Sequence, residues 1–221
     1  MRVIARLVAN LRQCRSGVAV TETALIMPFF LMTGLWGVEL ANYALTTMKI
    51  GQIAVQVADD ASRIGDISTL ENRKIYEGDI DDLLHGATLQ GGDRLALYDH
   101  GRVIVSSLEV NAKGQQYIHW QRCMGTLHVG PTYGKEGDVL ASGMGPKGRE
   151  VMAGAGDAVI FVEISYDYPA LISDSFIGRT TIRTISSFTV RSSRDLTQVY
   201  QANAAKPDLV YGCTAFTNAF R

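Results

Sequence analysis

No basic residue occurs between Arg15 and Lys49, and no acidic one precedes Glu22. The first absence leaves a stretch long enough to cross a bilayer. The second leaves residues 1–17 with four arginines (Arg2, Arg6, Arg12, Arg15) and no counter-charge. Those four belong to a total of 21 bases, so the rest of the chain carries 17 bases against 22 acids. An acidic main body has no basic footprint for a polyanion, and no nucleic-acid partner is expected. Cysteine is scarce, at three residues. Cys14 lies in the basic head, which leaves Cys123 and Cys213 in the main body, either as a disulfide in an oxidising compartment or as two buried thiols. With 47% hydrophobic and 8% aromatic residues over 221 positions, the chain is neither disordered nor collagenous. It is long enough for one moderate domain plus an anchor.

The sole charge from Val18 to Val38 is Glu22, and Glu39 closes the run. As a helix these residues extend about 32 Å, enough to cross the hydrocarbon core. Pro28 removes one helical hydrogen bond, which a membrane helix tolerates. The arginines before the span and the late first base after it put the N-terminus in the cytoplasm. A secretory signal peptide has a shorter apolar core ending at a small-x-small site. Residues Glu39 to Ala44 offer no such site, and helical periodicity continues beyond them, so a retained anchor is expected.

The order at the front edge of the span is Ser16, Gly17, Val18, Ala19, Val20, Thr21, Glu22. This resembles the processing site of type IV prepilins, in which a peptidase cuts after the glycine and leaves glutamate at the fifth mature position. Gly17 and Glu22 match that spacing. The wider stretch GVAVTETALIMPFFLMTGLWGVELANYAL resembles the TadE-type pseudopilins of tight-adherence pilus systems, over about 45 residues. The resemblance implies cleavage between Gly17 and Val18. It also implies a bacterial inner-membrane anchor with the C-terminal domain in the periplasm. Its expected partners are membrane lipid, the prepilin peptidase, other pilins and the pilus-assembly platform proteins. Independently of any family, an ionisable group one turn into a membrane helix is costly unless paired. After cleavage the new amino terminus at Val18 lies one turn from Glu22 and carries the opposite charge near neutral pH.

Beyond the span the helical pattern runs to about Gly65. Gly34, Gly37, Ala41, Ala44, Gly51, Ala54, Ala58 and Ala61 recur at steps of three or four, with Met48 filling one gap. Such a face lets another helix approach closely, either in a neighbouring subunit or in the chain's own domain. After Gly65, Ser68 with Glu71 reads as a capping box, and Asp79 to His85 as a second short helix. Strand signals follow in RLALY (94–98), VIVSSLEVN (103–111), QQYIHWQRCM (115–124), AVIFVEISYDY and TTIRTISSFTVRSS (180–193). In the fourth, Ile160, Val162, Ile164, Tyr166 and Tyr168 share one face, as in a half-buried strand. The glycine-rich stretch 125–156 reads as an exposed loop or insertion.

Enzyme-like patterns are weak. Gly143, Gly145 and Gly148 fit Gly-x-Gly-x-x-Gly, but no strand leads in and Pro146 interrupts. Gly130, Gly134 and Lys135 are one residue short of a phosphate loop. His119, Cys123 and His128 are candidate metal ligands by proximity, with His119 and Cys123 on one strand face, but extended chain spreads them apart. No nucleophile elbow or paired-carboxylate arrangement emerges. No catalysis, cofactor or metal is expected.

The expected organisation is a basic leader (1–17), a transmembrane helix (18–40), its continuation (41–65) and an α+β domain (66–221). A small antiparallel sheet is expected to pack against the distal half of the helix. The alternatives are an uncleaved single-pass protein with a periplasmic binding domain and a membrane-tethered enzyme using the glycine-rich stretch.

Overall fold

The computed structural model describes residues 16–65 and 72–220. The arginine-rich head, Cys14, and the Ser68 and Glu71 capping pair lie outside the described residues. The chain forms two compact units. One comprises the N-terminal part to Tyr43 with Ala170–Gly178, and the other comprises Ala44–Pro169 with Arg179–Arg221.

A single helix, α1 (Ser16–Ala61), runs without interruption through Pro28. It ends four residues before the glycine expected to cap it. The last turn closes through Ser62 N–H to Ala58 O (3.0 Å) and Ile64 N–H to Asp60 O (3.1 Å). In the second unit its final three turns bury Ile50, Ile53, Ala54, Val57, Ala58 and Ala61 at helical spacing. The short helix expected at 79–85 is α2 (Glu77–Gly91), twice as long. The Asp79 carboxylate accepts the Tyr76 N–H at 3.0 Å and so satisfies one orphan donor at its start. Ile80, Leu83, Leu84 and Ala87 form its buried side.

RLALY is not a strand. Ala96 takes φ +43°, and Leu97–His100 form a one-turn helix, α3. Leu95, Leu97 and Tyr98 are all buried, so the apolar content is real but the alternation has no meaning here. Tyr98 is anchored by its hydroxyl donating to Leu84 O (2.7 Å).

Four strands follow: β1 (Gly101–Val110), β2 (Gln116–Met124), β3 (Ala158–Asp167) and β4 (Thr181–Thr189). They form one antiparallel sheet in the order β2-β1-β3-β4, the small antiparallel sheet expected. The fold is therefore α+β. A bulge falls where Ser107 pairs Trp120 and Leu108 pairs Ile118. His119 is the extra residue, so it does not keep strand parity with Cys123.

The largest correction concerns β3. It is buried along its whole length except Asp167, not half-buried. The reason is the glycine-rich stretch, which is no free loop. It lays Met144 and Ala153 over Leu108, Ile118, Val159 and Phe161, forming a second apolar layer on the other face of the sheet. Tyr133 packs edge-on to Phe161 at 5.4 Å. The Gln116 amide donates to Ala153 O (2.9 Å) and accepts from Ala153 N–H (2.8 Å), which pins the cover in register. Gly143 permits the tight hairpin that carries Met144, with φ +83° and only 2.1 Å between a hypothetical Cβ and Val151 O. The glycines of the Gly-x-Gly-x-x-Gly pattern are thus turn residues.

The same stretch bonds along the outer edge of β2. Ile118 N–H donates to Asp138 O (3.0 Å) and Leu140 N–H to Gln116 O (2.8 Å). The C-terminal segment continues that cover, with Cys123 N–H to Tyr211 O (2.8 Å) and Gly125 N–H to Thr217 O (2.7 Å). A strand edge that would otherwise invite association is closed.

Candidate functional site

The residues of the processing pattern, Gly17, Val18 and Glu22, are exposed in the first turns of α1. Thr21 and Thr23 return their hydroxyls to the helix, donating to Val18 O (2.8 Å) and Ala19 O (2.7 Å). That satisfies both hydroxyl donors within the helix itself. The following surface is bare and apolar, with Leu25, Phe29 and Phe30 about 70% exposed or more. Among the described residues, this is the one helix long and apolar enough to cross a membrane, and they bury none of its apolar window.

The small-residue stripe divides into two parts. Ala54, Ala58 and Ala61 are buried within the second unit, and Gly51 is half-buried. Gly34, Gly37, Ala41 and Ala44 are exposed, with open space where a Cβ would stand at both glycines. Packing within the chain therefore accounts for the distal part of the stripe.

A feature with no signal in the sequence lies at the end of the apolar run. Glu39 is completely buried. Its Oε1 accepts the Leu171 N–H at 3.0 Å and its Oε2 the Ile172 N–H at 2.7 Å. One turn earlier, Trp36 Nε1–H donates to Phe176 O at 3.3 Å. The β3–β4 connection is thus clamped to α1 by a charge-assisted pair of backbone hydrogen bonds. The sequence places an acid after an apolar run, but nothing local names a partner 132 residues away.

Cys123 and Cys213 form a disulfide, so of the two readings left open the bridge holds and Cys123 carries no thiolate for a metal. His128 stacks on Phe216 at 4.4 Å, and His119 Nδ1 lies 2.8 Å from Glu109 Oε2. The three candidate ligands are thereby dispersed. Beside the disulfide, the wholly buried Arg102 donates to Gly125 O (3.0 Å), Cys213 O (2.8 Å) and Ala215 O (3.0 Å), with its guanidinium 4.1 Å from the Phe216 ring. Burial pulls its pKa down.

The hydrogen bond to Glu109 raises the His119 pKa above 6.5, outweighing the opposing effect of burial. A raised folded-state pKa adds stability that is fully present below the unfolded value and fades as pH rises through the folded one. The thermal midpoint of the native protein should therefore exceed that of His119→Gln by more at about pH 6 than at about pH 9. A difference that stays constant across a calorimetric pH series rules out this charge pairing.

A groove of about 380 Å³ runs along β3 and β4 under the glycine-rich cover, lined by Thr132, Tyr133, Arg149, Glu163, Arg183 and Ile185. Glu163 Oε2 accepts the Thr132 N–H at 3.0 Å, and burial raises the carboxyl pKa. No family model, curated protein or solved structure matches this chain.

Proposed function

We propose that this protein is a TadE-like minor pilin or pseudopilin, anchored in the bacterial inner membrane and taking part in assembly of a tight-adherence pilus. The observation that carries the reading is the pairing of Gly17 and Glu22 at the exposed start of an uncovered apolar helix. A peptidase that cuts after Gly17 leaves Val18 as the mature amino terminus. Its ammonium group then offsets Glu22 within the subunit or across to a neighbour. The α+β unit would face the periplasm, an oxidising compartment in which the Cys123–Cys213 bridge persists. The exposed Gly34, Gly37, Ala41 and Ala44 suit close approach of another pilin helix. The role is structural assembly, with no catalysis.

Intact mass of membrane-extracted protein, produced with and without a prepilin peptidase, tests the reading. Loss of residues 1–17 only when the peptidase is present, abolished by Gly17→Ala, supports it. A full-length mass under every condition replaces it with an uncleaved single-pass anchor.

A further inference from the structure

The nine residues Ala170–Gly178 connect β3 to β4, yet they form one compact unit with the first part of α1. Their composition is unusual for a surface connection, since Leu171, Ile172, Phe176 and Ile177 are all apolar. Leu171 is 51% and Ile172 39% exposed, and Phe176 and Ile177 are half-buried. An apolar connection normally turns inward to lose that exposure. Here the backbone N–H groups of these two exposed apolar residues are both engaged by Glu39, and the Phe176 carbonyl is engaged by Trp36. The hydrogen bonds hold the loop in place without burying the side chains of Leu171 and Ile172.

Those anchor points set the loop's level along the helix. Trp36 and Glu39 occupy the last turn of the apolar run, where Leu35, Val38 and Leu40 are 45–52% exposed. Leu171 and Ile172 therefore extend the bare surface of the helix sideways at the end of the span. Indole and mixed apolar-polar groups favour the boundary between headgroups and acyl chains. The loop also removes the difficulty that Glu39 poses there. A carboxylate facing lipid is costly, whereas this one is fully buried and accepts two backbone donors.

We infer that the Ala170–Gly178 loop is a second membrane contact, seating Leu171 and Ile172 among the lipid headgroups and upper acyl chains at the end of the span opposite the N-terminus. This rests on the membrane-anchor reading of α1. The occupant is lipid, because the loop's exposed apolar surface is continuous with the surface proposed to lie in the bilayer.

The test places a fluorescent label at single cysteines in the full chain, in a Cys14→Ser background, reconstituted in vesicles of phosphatidylethanolamine and phosphatidylglycerol. Leu171→Cys and Ile172→Cys report on the loop and Leu35→Cys on the span. If one loop variant fails to fold, the other gives the same reading. Lipids spin-labelled near the headgroup should quench emission at the loop as they do at Leu35, while aqueous iodide should not. Quenching at Leu35 combined with iodide access at both loop positions overturns the inference and leaves the anchor intact. A loop label shielded from both quenchers places the loop against protein, in the chain itself or in a second copy, and overturns it too. Iodide access at all three positions removes the anchor reading itself.

Discussion

Reducing the Cys123–Cys213 disulfide should cost the sheet-bearing unit about 4.5 kcal/mol, because the bridge closes a loop with a sequence separation of 90 residues. The effect should be visible as a lower urea midpoint for the full chain in detergent, and the Cys123→Ser/Cys213→Ser protein should behave like the reduced one. The bridge is part of a larger strap. The C-terminal segment also bonds to the edge of β2 through Cys123 N–H and Gly125 N–H, and Arg102 binds the carbonyls of Cys213 and Ala215. Arg102→Met leaves the Gly125, Cys213 and Ala215 carbonyls without that donor, and should cost about 3 kcal/mol on its own. Because arginine and disulfide hold the same segment, their effects should fall short of additive. A midpoint unmoved by reductant would mean that the bridge itself contributes nothing to the folded state.

The second large effect is expected at Glu77, the first residue of α2. Its two carboxylate oxygens accept from Arg122 Nε (2.9 Å) and Arg122 Nη2, joining the helix start to the far strand of the sheet. The side chains are only 6% and 9% exposed. Glu77→Ala strands a buried guanidinium, with the half-exposed Glu136 at 3.3 Å as its remaining carboxylate. A loss of about 3 kcal/mol is expected. Glu77→Leu combined with Arg122→Met should recover most of that loss, since no charge is then left buried. If the double variant is no more stable than Glu77→Ala in urea, the loss at Glu77 reflects packing and not an uncompensated charge.

Glu39, Glu77 and Arg102 share a physical property. Each is a charged side chain withdrawn from water, and each joins segments distant in sequence. Burial of this kind makes a strand–helix or loop–helix arrangement specific, because any other pairing leaves a charge unsatisfied. In the proposed setting the three act at different places: Glu39 at the end of the span, Glu77 at the start of α2, and Arg102 under the C-terminal strap.

The sequence by itself determined what depends on neighbours along the chain. An uninterrupted apolar run with charges at its edges specified α1, and the Gly17 and Glu22 spacing marked its start. Runs rich in β-branched and aromatic residues, bounded by turn residues, specified β1, β2, β3 and β4 to within a few positions. These signals survive because a helix or strand exposes its periodicity locally. The α+β order followed from them.

What covers each face was decided only by the tertiary structure. Local alternation in β3 described one apolar face, and could not report that Met144 and Ala153 would cover the other, where Phe161 already pointed. RLALY alternates like a strand, yet it contains the left-handed Ala96 and anchors through Tyr98 to Leu84. The bulge at His119 shifts the residue out of step with Cys123, a register change set by the opposing strand. Glu39 finds its donors 132 and 133 residues away, and Arg102 finds two of its acceptors 111 and 113 away. Such pairings follow from which surfaces the topology brings together, and chain periodicity carries no record of them.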